Sequence, residues 1–257
     1  MTPWIDVHCH LNFLDIPPEQ AVQQALDLGV ERMITIGTCP KDHPEVLSLV
    51  QQFPESVFGT LGVHPHDAKE YSDEVDQWLR ENLLNPRIVA VGELGLDYYY
   101  DNSPREQQQE AFRRQLQIAV DLDMPVEIHT RDAEEDTVKI LQEFGGRVKG
   151  LVHCFTGTQW LADEALKLGL NISISGVVTF KKADELRAVV ESLPLDRIHV
   201  ETDAPFLAPV PKRGSKNLPE FVVHTAEFVA DLKNISIQEL SDITKANALK
   251  LFPKLQW

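Results

Sequence analysis

Histidine and acidic side chains recur in this sequence at points where short runs of β-forming residues end. His8 and His10 flank Cys9 after the first run, and the residues that follow later runs are His64, Glu93, His129, His153 and Asp203. Because side chains alternate along a strand, we expect His8 and His10 to face one side and Cys9 the other. Imidazole and carboxylate are common ligands of divalent cations, so this pattern predicts metal-dependent chemistry.

Six of these residues are more ligands than one tetrahedral ion needs; they are His8, His10, Glu93, His129, His153 and Asp203. The set suits two divalent ions close together, with a carboxylate between them. Such a pair activates a water and holds both the attacking and the leaving oxygen of a displacement at phosphorus. A chain of 257 residues buries enough surface to fold without a structural metal, so the ligands are interpreted as functional.

Eight short β-rich runs alternate with helical patterns along the chain, which is typical of repeated βαβ units and a parallel sheet. The predicted strands are Trp4–His8, Arg32–Gly37, Val57–Val63, Ile88–Glu93, Val126–His129, Val148–His153, Asn171–Ser175 and Ile198–Glu201. We therefore predict one α/β domain over residues 1–257, a TIM-type (β/α)8 barrel. In a barrel the strands' carboxyl ends converge on one mouth, where such enzymes hold their active sites. The alternative, an open doubly wound sheet, would place its site at one switch point.

Two helix starts are predicted from capping residues. Ser103 and Glu106, with Pro104 between them, resemble a capping box, and Ser236 with Glu239 starts the last helix.

The amino-acid composition limits the kinds of molecule that the protein surface can bind. The 24 basic and 40 acidic residues give a net charge of −16, which argues against a broad basic surface for nucleic acid or anionic membrane. It does not exclude a nuclease whose site carries its own cations. The few basic residues near the last strands are either solvated or form a local rim that guides phosphate; they are Lys181, Lys182, Lys212, Arg213 and Lys216.

The sequence also carries expectations about location. Three cysteines without a CxxC motif, no signal-peptide pattern and no apolar run of about 18 residues predict a cytoplasmic protein without a membrane span. No obligate protein partner is evident.

The motifs together resemble the TatD family of metal-dependent hydrolases, within the amidohydrolase-like barrel superfamily. They are DVHCHL, GVHPH, GELGLDYYY, PVEIHTRDA, HCFTG and ETDAPFLAPVPKRG, spread over residues 6–214 in the family's order. The resemblance implies a deoxyribonuclease with 3′–5′ exonuclease character that uses Mg²⁺, Mn²⁺ or Zn²⁺ and acts on DNA ends, single-stranded ones above all. One departure is Lys216-Asn217-Leu218-Pro219, where the family often has Arg-Asn-Glu-Pro.

The resemblance also implies roles for individual residues. One ion would be held by His8, His10, Glu93 and Asp203, and the second by Glu93, His129 and His153, so that Glu93 bridges. His64 would contact the scissile phosphate. Asp203, beside the attacking water, is the candidate general base. The predicted catalytic residues are thus Asp203, Glu93 and His64.

Two other functions stay open from the sequence. One is a hydrolase of a small ester, lactone or amide on the same scaffold, and the other is a metal-binding protein without catalysis. Many amidohydrolase relatives bridge their ions with a carboxylated lysine on the fourth strand. Glu93 stands at that place here, which favours the nuclease-like branch.

Several neighbouring residues have structural interpretations. We expect structural roles for His43, His66, His199 and His224, and a turn-stabilising role for Asp97. The tyrosines at 98–100 either stack nucleobases or pack their own loop. Arg131 is expected on the face opposite to His129, in an ion pair, and Cys154 is expected to face away from the metals.

Overall fold

Eight parallel strands, hydrogen-bonded in sequence order, form the centre of the molecule in a computed structural model that describes residues 2–256. The strands are β1 (Trp4–Cys9), β2 (Val30–Gly37), β3 (Val57–Leu61), β4 (Ile88–Asp97), β5 (Val126–Arg131), β6 (Gly150–Val152), β7 (Asn171–Ile174) and β8 (Ile198–Val200). The α-helices around them are α1 (Pro18–Asp27), α2 (His43–Gln52), α3 (Asp73–Asn82), α4 (Arg105–Asp121), α5 (Glu134–Glu143), α6 (Gln159–Lys167), α7 (Asp184–Ser192), α8 (Val222–Lys233) and α9 (Ile237–Leu251).

The ring closes where β8 meets β1. Just beyond β8, the backbone N–H of Asp203 donates to the carbonyl of His8 at 2.9 Å, and that of His10 donates to Ala204 at 2.7 Å. The carboxylate of Asp6 also accepts from the N–H of Thr202, at 2.9 Å. The chain is therefore a single-domain (β/α)8 barrel, as the sequence predicts, and the open-sheet alternative is wrong.

One end of the barrel is closed by apolar side chains. Phe252 and Leu255 pack with Ile5, Ile34 and other strand residues in a buried cluster. Close by, the ammonium group of Lys254 donates to the carbonyl of Ile88, at the amino end of β4, at 2.7 Å. This apolar end leaves the carboxyl ends of the strands for polar side chains.

Strand β4 is longer than predicted. The sequence places Glu93 at its end, whereas the strand continues to Asp97, and its pairing with β5 shifts register between Val91 and Leu94. The extension depends on Gly95, whose φ is +139° and where a Cβ would lie 1.9 Å from the carbonyl oxygen of His129. Glu93 therefore projects from within a fully buried strand.

The other strand predictions hold to within about two residues. β1 ends at Cys9 rather than His8, and β6 is shortened at both ends, covering Gly150–Val152 instead of Val148–His153. His153 consequently lies just past its strand.

One capping prediction is confirmed and one is wrong. The hydroxyl of Ser236 accepts from the N–H of Glu239, at 3.2 Å. Helix α4 instead begins after Pro104 without a side-chain cap. The hydroxyl of Ser103 donates to the carbonyl of His66 at 2.8 Å, so Ser103 braces the loop after β3.

Among residues 2–256, no helix combines the length and the apolar character needed to cross a lipid bilayer.

Replacing Gly95 by Ala should lower the free energy of unfolding by roughly 3 kcal/mol or more, because the new Cβ would collide with the backbone of β5. Gly145→Ala is the control: its φ is also positive, at +58°, but nothing lies within 4 Å of the added carbon. Its cost should be about 1 kcal/mol. Urea denaturation of both variants checks this, and equal losses would contradict the close approach of β4 and β5.

Candidate metal centre

The carboxyl ends of the strands surround a cavity of about 570 Å³. Its wall carries most of the predicted site residues: His10, His64, Glu93, His129, His153 and Asp203. His8 lies behind this wall and is fully buried. Every residue predicted as catalytic or metal-ligating therefore lies at one place in the structure.

The carboxylate of Glu93 faces a different pair of imidazoles with each of its oxygens. Oε1 lies 3.0 Å from Nδ1 of His129 and 2.7 Å from Nε2 of His153. Oε2 lies 3.7 Å from Nε2 of His8 and 4.0 Å from Nε2 of His10. Glu93 thus stands between two separate groups of nitrogen donors.

Asp203 completes the group that contains His8 and His10. Its Oδ1 lies 3.3 Å from Nε2 of His10 and 3.8 Å from Nε2 of His8. One ligand atom from each of these three residues falls within 4.8 Å of the others, which is close enough to share an ion. The Nε2 atom of His8 is buried without a hydrogen-bond partner, so its lone pair is available to a cation.

His64 presents a hydrogen-bond donor to the same cavity. Its Nδ1 accepts from the backbone N–H of His66 at 3.1 Å. Burial lowers the pKa of His64 to about 4, although Glu93 pulls it upward, so the ring is neutral at pH 7. A neutral imidazole that accepts at one nitrogen carries its proton on the other. Nε2–H of His64, 3.4 Å from Oε1 of Glu93, therefore points a donor at the cavity.

Two buried glutamates behind the site were not identified from the sequence. Oε2 of Glu127 lies 3.2 Å from Nδ1 of His8, and Oε1 of Glu201 lies 3.5 Å from Nδ1 of His153. Burial raises the pKa of both carboxyl groups; Glu201 raises the pKa of Glu127 further, and His153 lowers the pKa of each in part. An acceptor behind Nδ1 keeps Nε2 free to face the cavity, so these residues orient two predicted ligands.

Strand periodicity contains a signal for one of these glutamates, Glu127. Glu127 precedes His129 by two positions, as Glu201 precedes Asp203 and Asp6 precedes His8. Residues two apart on a strand share a face, so Glu127 points to the same side as His129, whereas Glu201 and Asp203 follow the end of β8, where this rule no longer applies.

Asp97 combines the turn role predicted for it with a contact to the site. Its Oδ1 accepts from the N–H groups of Tyr99 and Tyr100, while Oδ2 lies 3.2 Å from Nε2 of His129 and 3.0 Å from Nε2 of His66. Burial alone would raise the pKa of Asp97, but the hydrogen bonds with His129 and His66 outweigh it and hold the pKa below its ordinary value. His66 is thus partnered and borders the cavity without joining the ligand group.

Two expectations about neighbouring side chains are wrong. Arg131 lies over the rings of Tyr99 and Tyr100 at the cavity wall. β5 continues to Arg131, and residues two apart on a strand share a face, so Arg131 points to the same side as His129. Cys154 borders the cavity instead of facing away. β6 has already ended at Val152, so strand alternation no longer governs its direction. Cys9 does face away, with its thiol 3.4 Å from the carbonyl of Ile34.

The loop after β8 is held in place by Asn217. Its buried side-chain amide donates to the carbonyls of Thr202, at 2.7 Å, and Phe206, at 2.6 Å. Asp203 lies between these two anchor points. The departure from the family pattern at Leu218 leaves this support intact.

Comparisons with known proteins identify relatives of this chain. The sequence pattern of the family described as TatD related DNase matches residues 5–253. A Bacillus subtilis protein named "Uncharacterized metal-dependent hydrolase YabD" is 39% identical over 250 residues, covering 96% of this chain and 98% of that protein. A Rahnella protein named "3′-5′ ssDNA/RNA exonuclease TatD" is 38% identical over 240 residues, covering 91% of each.

A solved structure shares the whole architecture. The TatD homologue YJJV from Escherichia coli superposes with a TM-score of 0.91 at 30% identity, covering 97% of this chain and 98% of that one. The barrel described above is therefore one that homologous sequences adopt.

Glu127→Gln should weaken binding of Mn²⁺ or Zn²⁺ to the apoprotein by roughly 10-fold or more, because an uncharged acceptor behind His8 makes its Nε2 a poorer ligand. Isothermal titration calorimetry measures the affinity, and the melting temperature of the apoprotein reports folding separately. Glu134→Gln is the matched control, since that carboxylate accepts from Thr158 instead of a ligand histidine. Unchanged metal affinity in Glu127→Gln would leave Glu127 with a packing role alone.

Proposed function

Since the chain belongs to the TatD related DNase family of metal-dependent hydrolases, we propose that it is a divalent-metal-dependent phosphodiesterase that removes nucleotides from the 3′ ends of single-stranded DNA. The name of the Rahnella relative supports the substrate class and the direction of digestion. We also propose that it acts in the cytoplasm, since Cys9, Cys39 and Cys154 are all free thiols.

The observation that carries the proposal is the position of Glu93, with one carboxylate oxygen toward His129 and His153 and the other toward His8 and His10. A carboxylate shared in this way is suited to bridging two cations. A single closed structural site would need neither the second group of donors nor the donor that His64 presents to the cavity.

The donor set fits divalent ions of the Mg²⁺, Mn²⁺ and Zn²⁺ kind, because it consists of imidazole nitrogens and carboxylate oxygens. In the proposed arrangement one ion would be held by His8, His10, Glu93 and Asp203, and the other by Glu93, His129 and His153. Bound ions would supply a water of lowered pKa and neutralise charge on the phosphate oxygens.

The chain's own groups account for the proton and the phosphate. Asp203, at the edge of the cavity, takes a proton from the attacking water as that oxygen bonds to phosphorus. When the bond from phosphorus to the leaving oxygen breaks, the same proton passes to that oxygen. The Nε2–H of His64 donates to a phosphate oxygen, where charge grows in the transition state.

Digestion of end-labelled single-stranded DNA in Mn²⁺ tests the function. We expect a ladder of products shortened one nucleotide at a time from the 3′ end. Asp203→Asn should lower kcat by about 100-fold or more, the usual scale for loss of a general base, while metal content falls less. Turnover of small esters, lactones or amides with no action on DNA would replace the nuclease by another hydrolase, and no turnover of either would indicate a metal-binding protein.

Metal content gives a test independent of turnover. The metal-saturated protein should contain two divalent ions per chain, measured by elemental analysis after removal of free metal. Glu93→Ala should weaken both sites, because Glu93 faces both groups of donors. A single ion at saturation, or two tightly held ions in Glu93→Ala, would contradict the bridged arrangement.

A further inference from the structure

Exposed aromatic rings border the candidate metal centre. Phe13 and Phe206 follow β1 and β8, while Tyr99 and Tyr100 follow β4. About half of Phe206 and Tyr100 is exposed, 51% and 54% respectively, although each lines the cavity. Large apolar surface left in solvent beside a polar cavity marks a binding surface more often than a packing one.

The order of the strands sets these rings on opposite sides of the mouth. β8 and β1 are neighbours across the closure of the ring, and β4 pairs with β5. In a ring of eight strands in sequence order, the β4–β5 pair is halfway round from the β8–β1 junction. The cavity with Glu93 and its histidines lies between the two aromatic groups.

The first group, Phe13 and Phe206, is here called the seam platform. The ring of Phe13 stacks on His10, with 5.2 Å between centroids and 7° between planes. Phe206 meets the same imidazole edge-on, at 5.9 Å and 73°. Asn217 also holds the backbone of Phe206 through its carbonyl. The platform is thus anchored to a proposed metal ligand on one side and open to solvent on the other.

The second group, Tyr99, Tyr100 and Arg131, is here called the tyrosine platform. The guanidinium carbon of Arg131 lies 4.1 Å from the ring centroid of Tyr99 and 4.9 Å from that of Tyr100. Asp97 fixes the turn beneath by accepting from the N–H groups of both tyrosines. The rings of Tyr99 and Tyr100 are perpendicular, with 4.9 Å between their centroids, so a nucleobase can stack on the face of one of them while Arg131 offers the phosphate a positive charge.

We propose that the two platforms form a nucleobase clamp, which stacks the bases on either side of the scissile phosphodiester of a single strand; the proposal rests on the function proposed above. A base in a single strand has a free π-face, whereas a base inside a duplex is already stacked and paired. The clamp therefore selects single-stranded ends, and a small ester without bases gains nothing from it. Loss of one base–aromatic stack costs about 10-fold in affinity.

The arrangement of these aromatic rings suits a nucleic acid strand better than it suits a protein partner. They are separated by imidazole and carboxylate groups that line the cavity, so they do not form one continuous apolar patch. Two flat surfaces on either side of a centre suited to a phosphodiester match instead the alternation of base, phosphate and base in a nucleic acid strand.

Abasic substrates test the clamp. The experiment measures kcat/KM in Mn²⁺ for the first cleavage of a thymidine oligonucleotide, intact or with one abasic residue at the terminal or the penultimate position. For the wild-type protein we expect a loss of about 10-fold for each abasic residue. Phe206→Ala and Tyr100→Ala should each lose about 10-fold on the intact strand. In each alanine variant, an abasic residue at one of the two positions should cause no further loss of kcat/KM. That position should differ between the two variants.

The controls separate stacking from damage to the fold or to the metal centre. Phe206→Tyr and Tyr100→Phe keep an aromatic ring, so their losses on the intact strand should be clearly smaller than those of the alanine variants. Trp160→Ala removes a ring that is 44% exposed on α6 and does not line the cavity, and it should change nothing. Metal content and melting temperature should match the wild type in every variant.

Two outcomes would overturn the clamp. If the protein digested single strands at the same rate with and without abasic residues, the proposed nuclease function would be supported and the clamp would be refuted. If an abasic residue at either position lowered kcat/KM further in both alanine variants, neither ring would contact a particular base. Absence of any cleavage of single strands by the wild-type protein would instead refute the proposed function, and the clamp with it.

Discussion

The burial of one carboxylate, that of Glu93, determines how the mouth of this barrel is built. A buried anion is unstable unless it is paired, and burial alone raises its pKa. The imidazoles of His153 and His64, with hydrogen bonds from His129 and His153, more than compensate and hold the pKa of Glu93 well below its ordinary value. Each of these rings comes from the end of a different strand, so the carboxylate can be buried only where the strands converge.

The imidazoles around Glu93 are buried too, and they also need polar partners. The imidazoles that surround Glu93 have two nitrogens each, and the nitrogen that faces away from Glu93 also needs a partner. Glu127 lies behind His8, Glu201 behind His153 and Asp97 behind His129. Carboxylates and imidazoles therefore alternate through the barrel interior, and two of the three backing carboxylates, those of Glu127 and Glu201, do not line the cavity.

The sequence was sufficient to predict the barrel and to bring together all six proposed ligands, because strand ends in a parallel barrel are equivalent and share one mouth. It did not reveal that β4 runs past Glu93, since that depends on how closely Gly95 approaches β5. Nor did it reveal Glu127 and Glu201, which contact histidines from other strands. Arg131 could have been placed correctly from alternation alone, whereas Cys154 could not, because its strand ends two residues earlier.

The junction between β8 and β1 joins residues that are far apart in the sequence: the hydrogen bond from Thr202 to Asp6 spans 196 positions. Contacts between residues this far apart in the sequence form late in folding. Closing the long loop between them costs chain entropy before the contact itself contributes any stability. During synthesis, His8 and His10 emerge long before Asp203, and the early segments hold only part of the donor set. An unfinished chain thus has only part of the donor set, and the candidate metal centre is complete only when the ring is closed.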